Sequence, residues 1–155
     1  CICCNVVIRG RNTIGNYVHI YDLVNIEGGR PGPWGGNTCQ EADKSIIGDY
    51  CWINHGAIMH GSQMGEGAVL DLNACLDYNC RIGKGAIVAN GSAVRFNSEI
   101  PDNCLAEGIP ATVVKTDITD EDRKQLMGLV PREWANYIAE KYERTIKEAQ
   151  AKSSS

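Results

Sequence analysis

The sequence predicts an all-β core, a left-handed parallel β-helix shaped as a triangular prism, followed by a C-terminal α-helix. Two observations carry this prediction: aliphatic residues recur every six positions, and a smaller residue recurs four positions after most of them. A period of six is neither that of a helix nor that of a simple strand. It fits a three-sided coil with one short strand per side, in which each coil buries its apolar residues against the next.

The larger inward position is aliphatic or Met in every repeat, and each such residue is expected to stack on its counterpart one coil away. Burial of one of these side chains contributes roughly 1.5–3 kcal/mol. The series breaks once before residue 47, and one unit before residue 64 is shortened. Its members are Ile2, Ile8, Ile14, Ile20, Ile26, Ile47, Ile53, Met59, Met64, Leu70, Leu76, Ile82, Val88, Val94 and Ile100.

The smaller inward position explains part of the cysteine content, which is eight in 155 residues. This position holds Val18, Val24, Cys51, Ala57, Ala68, Ala74, Cys80, Ala86, Ser92, Ser98 and Cys104. We therefore interpret the cysteines as mostly reduced core residues of a cytoplasmic protein, since a chain of this size does not need disulfides. The Cys1-x-Cys3-Cys4 cluster is an alternative metal motif, but it lacks a second cysteine pair at ligand spacing.

The C-terminal part has helical signals. Thr119-x-x-Asp122 predicts a capping box, and Pro131 suits a first helical position. An apolar stripe follows at helical spacing, formed by Trp134, Tyr137, Ile138, Tyr142 and Ile146. We predict a β-helix over residues 1–115 with an inserted loop at 28–46, and a helical segment over 116–151 packed on the β-helix.

Composition excludes two classes of partner. The net charge is −4 with a pI near 5.3 and no basic stripe, which argues against nucleic acid. No apolar run approaches the roughly 18 residues of a membrane span. A small-molecule substrate is the remaining expectation.

The repeat also predicts which polar side chains meet. Glu27 and His60 each follow an inward residue, Ile26 and Met59, and these hexads are three apart. Three hexads make one coil, so Glu27 and His60 should stack on one face about 4.8 Å apart. His55 belongs to the adjacent face, and around a threefold axis it would approach the Glu27–His60 pair of another chain. Two imidazoles, one carboxylate and water form an open zinc site.

Residues 53–61, INHGAIMHG, resemble the segment of the γ-class carbonic anhydrases that carries two of their three zinc histidines. The shortened hexad after His60 and the closing stretch, residues 99–111, are similar to that family as well. The resemblance implies a homotrimer with a divalent metal between subunits. Zinc is the expected ion, with iron, cobalt, nickel and manganese as alternatives. It also implies that Arg9 and Asp22 are structural residues that pair across subunits.

The sequence departs from the family at several site positions. Glu27 stands where the family has its first zinc histidine, Tyr21 where it has a glutamine implicated in catalysis, and His19 where it has an asparagine near the metal. A carboxylate ligand makes a metal-bound water less acidic than an imidazole does. We expect the metal ligands to be His55, His60 and Glu27, with His19 as the alternative third ligand.

The resemblance implies reversible hydration of carbon dioxide, or a related lyase or hydrolase reaction, as the activity. Tyr21 and Glu41, the latter in the inserted loop, are the acid–base candidates, although packing by Tyr21 and simple solvation of Glu41 explain them as well. Two alternatives stay open. One is a CoA-dependent hexapeptide acyltransferase, in which a histidine acts as general base, and the other is a non-catalytic assembly module.

Overall fold

The computed structural model describes residues 1–29 and 44–153. Two- to five-residue strands follow one another through most of the chain, and two helices close it. The strands are β1 (Val7–Gly10), β2 (Asn12–Ile14), β3 (His19–Ile20), β4 (Asn25–Gly28), β5 (Ser45–Ile47), β6 (Trp52–Ile53), β7 (Ile58–His60), β8 (Gln63–Met64), β9 (Val69–Leu70), β10 (Cys75–Leu76), β11 (Arg81–Ile82), β12 (Ile87–Val88), β13 (Ala93–Val94), β14 (Glu99–Ile100), β15 (Leu105–Gly108) and β16 (Ala111–Lys115), and the helices are α1 (Asp120–Met127) and α2 (Pro131–Ser153).

Strands three apart in the chain pair in parallel and build three sheets, which are the faces of the prism. The first face has the order β1-β4-β7-β10-β13 and the second β14-β11-β8-β5-β2. The third face has the order β16-β15-β12-β9-β6-β3, with β16 antiparallel to β15. This is a parallel β-helix of about five turns, and the predicted fold class is confirmed.

The interior of the prism consists of the two inward positions. Most of the larger ones are at most 3% exposed, and the smaller ones from Val18 to Cys104 are buried apart from the half-buried Ser98. Ile2 and Ile8 differ, at 57% and 37% exposed, because they lie in the first coil and the described chain places no coil over them. Burial raises the pKa of the Cys51 thiol to about 12, and each described cysteine is a free thiol.

The insertion separates β4 from β5. The strands extend into it from both sides, since β4 ends at Gly28 and β5 begins at Ser45, so the predicted loop at 28–46 is shorter at each end. Its residues 30–43, which include Glu41, lie outside the described residues.

The helices cover the third face. Helix α1 begins at the predicted capping box, in which Thr119 and Asp122 bond to each other's backbone N–H groups, and Gly128 caps its C-terminal end. Helix α2 begins at Pro131, and Trp134 at its start packs against a second apolar cluster on that face, formed by Trp52, Val69, Ile87, Leu105 and Ile118. Residues 140–152 are exposed, so only the first part of α2 is packed on the β-helix. None of the described helices is long and apolar enough to cross a membrane.

One buried cation joins α1 to the coils. The Arg123 guanidinium, 7% exposed, donates to the carbonyl oxygens of Gly85 and Ile118 and to Asn103 Oδ1. It also contacts Asp120 at 3.1 Å. A buried charge with this many partners is satisfied, and it fixes where α1 lies on the prism.

Candidate metal centre

Glu27 and His60 lie side by side on the first face. Strands β4 and β7 pair with Glu27 directly opposite His60, and Glu27 Oε2 lies 4.0 Å from His60 Nε2. Their side chains are 14% and 27% exposed. The stacking that the repeat predicts is therefore present in the structure.

Glu27 and His60 form a column of side chains on successive coils of the first face, and Arg9 adds a third member one coil further along. It stands opposite Glu27 across the β1–β4 pair, with Arg9 Nη2 3.6 Å from Glu27 Oε2. Because the Arg9 side chain is 58% exposed, the pair adds little stability by itself. Its effect is on the local charge, since the guanidinium places a positive group beside Glu27.

His55 lies at the corner between the third and first faces, in the turn that joins β6 to β7. Asn54 Oδ1 accepts a hydrogen bond from the His55 backbone N–H, and the following Gly56 has a left-handed φ of 71°. The imidazole is 48% exposed, with Nδ1 3.6 Å from Asp22 Oδ2. Its ring lies 4.9 Å from the Tyr21 ring.

The three expected ligands do not meet within one chain. His55 contacts Asp22 and Tyr21, whereas Glu27 and His60 contact each other on the first face. Among residues 1–29 and 44–153, no three His, Cys, Asp or Glu side chains of one chain are grouped to hold a metal ion. Within the described residues, His55 therefore does not complete a three-residue ligand set with Glu27 and His60.

His19 lies on the third face, away from the Glu27–His60 pair. It stands opposite Trp52 across the β3–β6 pair and is 8% exposed. Burial lowers the pKa of its imidazole, so it is neutral near pH 7. Its ring neighbours are Tyr21 and Trp52. His19 as a third ligand stays a prediction.

Tyr21 forms the outer part of an aromatic patch. Its ring stacks on Trp52 at 5.2 Å, and Trp52 contacts Trp134 of α2 at 6.4 Å. Burial, followed by the nearby Cys3, raises the pKa of the Tyr21 phenol. Tyr21 is therefore protonated at neutral pH and able to donate a hydrogen bond beside His55.

Asp22 is held by backbone as well as by His55. Its Oδ1 accepts the backbone N–H of Cys4 at 2.8 Å, and its Oδ2 faces His55. At 3.6 Å, Asp22 Oδ2 and His55 Nδ1 are in contact but not within hydrogen-bond distance.

The Glu27–His60 pair fits a divalent ion. Two donor atoms bound to one tetrahedral zinc at about 2.1 Å lie about 3.4 Å apart, so an Oε2–Nε2 separation of 4.0 Å needs only a small side-chain adjustment. A carboxylate oxygen and imidazole nitrogens suit zinc and the other expected ions.

Two residues beside His60 were not predicted from the sequence. The Tyr78 ring stacks on the His60 ring at 4.7 Å. The buried Ser62 hydroxyl lies 2.7 Å from the His60 carbonyl oxygen. The repeat gives no signal for Tyr78, because it lies in the turn after β10. Ser62 lies two residues after His60, the last residue of β7.

A cavity of about 500 Å³ lies elsewhere, between the coil corner and the start of both helices. Its lining includes Glu66, Lys84, Arg123 and Arg132 and none of the expected metal ligands. This cavity is separate from the candidate metal centre.

The coils define a hexapeptide-repeat β-helix, and solved structures of that class share the fold. No protein-family model matches the chain. It is 34% identical over 125 residues to a probable carbonic anhydrase of Methanocaldococcus jannaschii, which covers 79% of this chain and 71% of that relative. The chain belongs to the γ-class carbonic anhydrase-like family.

Other relatives match over shorter spans. The mitochondrial gamma carbonic anhydrase 2 of Arabidopsis thaliana is 33% identical over 78 residues, which is 50% of this chain and 28% of that protein. Among solved structures, a hexapeptide transferase family protein from Anaplasma phagocytophilum has a TM-score of 0.62 at 20% identity, over 90% of this chain and 78% of that one. A Vibrio cholerae acetyltransferase solved with acetyl coenzyme A has a TM-score of 0.56 at 14% identity, over 76% of this chain and 71% of that one. At these identities the structures show the fold alone.

Proposed function

We propose that the chain forms a homotrimeric, metal-dependent enzyme that catalyses the reversible hydration of carbon dioxide. Glu27 and His60 of one subunit and His55 of the next would hold the ion, with zinc expected. The observation that supports this most directly is the Glu27–His60 column, with two donor atoms 4.0 Å apart on paired strands.

A trimer would bring His55 of one chain to the Glu27–His60 pair of its neighbour. Around a threefold axis, the corner of one prism meets the first face of its neighbour, and the same contact is repeated three times. His55 is half-exposed at that corner and oriented by Asp22 and Tyr21. It is therefore available to a neighbouring subunit.

The bound ion and the protein side chains would have different roles in the reaction. A bound divalent ion supplies a Lewis acid that generates a water-derived nucleophile near neutral pH. Glu27 contributes negative charge that Arg9 partly offsets, and the protonated Tyr21 is a hydrogen-bond donor for a developing bicarbonate. Ile58, 36% exposed on the strand that carries His60, offers apolar surface for carbon dioxide. Each hydration releases a proton, and Glu41 stays the predicted carrier.

Elemental analysis of the purified protein, combined with stopped-flow carbon dioxide hydration, tests the proposal. We expect one divalent ion per chain, and loss of both metal and turnover in His60→Ala and in His55→Ala. Tyr142→Phe, an exposed change on α2, is the control and should retain both. A metal-free protein after growth and loading with zinc, cobalt or iron would overturn the proposal.

Mixed trimers test whether the ligands come from two chains. His55→Ala subunits retain His60, and His60→Ala subunits retain His55. A site is intact only where the His55→Ala subunit supplies Glu27 and His60 and the His60→Ala subunit supplies His55. Random mixing at equal amounts restores about a quarter of the sites, because one ordered pairing in four is intact. If all ligands came from one chain, mixing would restore none.

The acyltransferase alternative predicts acetyl-CoA binding and no metal uptake. Tight binding of acetyl-CoA in calorimetry by a protein that takes up no metal would favour it over the carbonic anhydrase reaction. Full metal occupancy without turnover on carbon dioxide or simple esters would favour a non-catalytic module.

A further inference from the structure

Among the described residues, the His60 imidazole has one close aromatic neighbour, Tyr78. The two ring centroids are 4.7 Å apart with an interplanar angle of 15°. Of the ring contacts made by His19, His55 and His60, this one is the shortest and the most nearly parallel. Such stacking requires that both side chains be held in fixed orientations.

The backbone of Tyr78 is fixed independently of His60. Its N–H donates to Asp77 Oδ1 at 2.7 Å, and its carbonyl oxygen accepts the N–H of Asn97 at 3.2 Å. Asn79, the next residue, has a left-handed φ of 58°, which an asparagine adopts at low cost. The turn between β10 and β11 therefore presents the Tyr78 ring at a defined place.

The side chain of Ser62 joins that turn to the backbone of His60. The Ser62 hydroxyl, fully buried, lies 2.7 Å from the carbonyl oxygen of His60 and 2.6 Å from that of Asp77. It also accepts the N–H of Cys80 at 2.9 Å. These contacts fix the distance between the backbone under the imidazole and the backbone under the phenol ring.

Imidazole ligands usually need such a restraint. Rotation about the last side-chain bond of histidine is only weakly restricted, and a metal-binding histidine is normally held by a hydrogen bond to its second nitrogen. Within residues 1–29 and 44–153, neither ring nitrogen of His60 has a hydrogen-bond partner, and its contacts are Glu27 at 4.0 Å and the Tyr78 ring.

We propose that Tyr78 is a positioning residue, whose ring holds the His60 imidazole in the orientation that turns Nε2 toward Glu27. The role rests on the proposed function in one respect, namely that His60 is a metal ligand. The ring acts by contact, so a phenyl group serves as well as a phenol. An aromatic pair of this kind corresponds to about three- to tenfold in metal affinity.

Three variants test the proposal in the full-length protein: Tyr78→Phe, Tyr78→Leu and Tyr78→Ala. Zinc affinity is measured by competition with a chromophoric chelator, and the geometry at the ion by the visible absorption of the cobalt-loaded protein. We expect Tyr78→Phe to match the parent protein in both. Tyr78→Leu and Tyr78→Ala should lose about three- to tenfold in affinity and show altered cobalt absorption.

A second readout needs no metal. The chain has three histidines, so NMR spectra of metal-free protein with labelled histidine are simple, and the His60→Ala variant assigns the His60 signals. The stacked ring should shift the His60 ring protons upfield in the parent protein and in Tyr78→Phe, and Tyr78→Leu should abolish that shift.

The outcomes separate this inference from the proposed function. A parent protein that binds no metal would defeat the metal site while leaving the NMR result as a test of the stack. Unchanged affinity and cobalt absorption in Tyr78→Leu would overturn the positioning role alone. Equal losses in Tyr78→Phe and Tyr78→Ala would also overturn it, because the hydroxyl rather than the ring would then be responsible.

Discussion

Glu27 Oε2 and His60 Nε2 lie 4.0 Å apart on strands that pair residue to residue, although 33 positions separate them in the chain. The insertion between β4 and β5 accounts for the excess over one coil. The parallel register places acid and imidazole together whatever the inserted loop contains, so this half of the candidate site is part of the folded coils.

Replacing Glu27 by Gln should weaken zinc binding by more than about tenfold, since even partners outside the coordination sphere have effects of that size. The amide keeps the shape of the side chain but removes its charge. Competition with a chromophoric chelator measures the loss. Glu66→Gln is the matched control, because Glu66 pairs with Arg132 at a corner away from the site. Unchanged affinity in Glu27→Gln would remove Glu27 from the ligand set and direct attention to His19→Ala.

The coil architecture and the Glu27–His60 stack could be predicted because a β-helix converts sequence spacing into position. Inward residues stack on their counterparts one coil away, as Met59 does on Ile26 and Leu70 on Ile53. The same register places Glu27 beside His60. The positions of the strands could therefore be predicted from the spacing of the repeat alone.

The turn residues could not be predicted in the same way. The direction of His55 depends on the hydrogen bond from its N–H to Asn54 and on the φ of Gly56, which a repeat count does not contain. Tyr78 likewise reaches His60 from a turn. The exposed second half of α2 has an apolar stripe that predicts packing, but in one chain Tyr142 and Ile146 are 61% and 55% exposed.

Arg123→Met should lower the free energy of unfolding by about 2–4 kcal/mol, because it leaves buried acceptors on Gly85, Asn103 and Ile118 without their donor. Urea denaturation at one fixed protein concentration measures the change. Arg81→Met on the exposed surface of β11 should change stability by less than about 0.5 kcal/mol. Equal effects of the two variants would show that the Arg123 contacts contribute nothing.

Leu76→Ala should cost about 2–5 kcal/mol, the range for removing a fully buried leucine from a packed core. Leu76 is 0% exposed and lies between the coils of Met59 and Val94. Ile109→Ala, at a position that is 76% exposed, serves as the control for loss of the same kind of side chain. A loss below about 1 kcal/mol in Leu76→Ala would mean that the neighbouring coils close the cavity.

Asp122→Asn should alter the pH dependence of stability at the start of α1. A hydrogen bond from Lys115 Nζ at 2.6 Å, followed by one from the Thr119 N–H, lowers the pKa of the Asp122 carboxyl to about 2. The folded chain therefore favours the ionised carboxylate, and the stabilisation is fully present above the ordinary value of 3.8 and is lost as the pH falls towards 2.

The difference in unfolding free energy between the parent protein and Asp122→Asn should be largest at pH 6 and shrink as the pH falls from 3.8 towards 2, as measured by urea denaturation at a series of pH values. Glu121→Gln removes the same charge from the same turn without these hydrogen bonds, so its difference should stay smaller. A gap for Asp122→Asn that is constant from pH 6 to pH 2 would show that the bonds to Lys115 and Thr119 do not depend on the charge of Asp122.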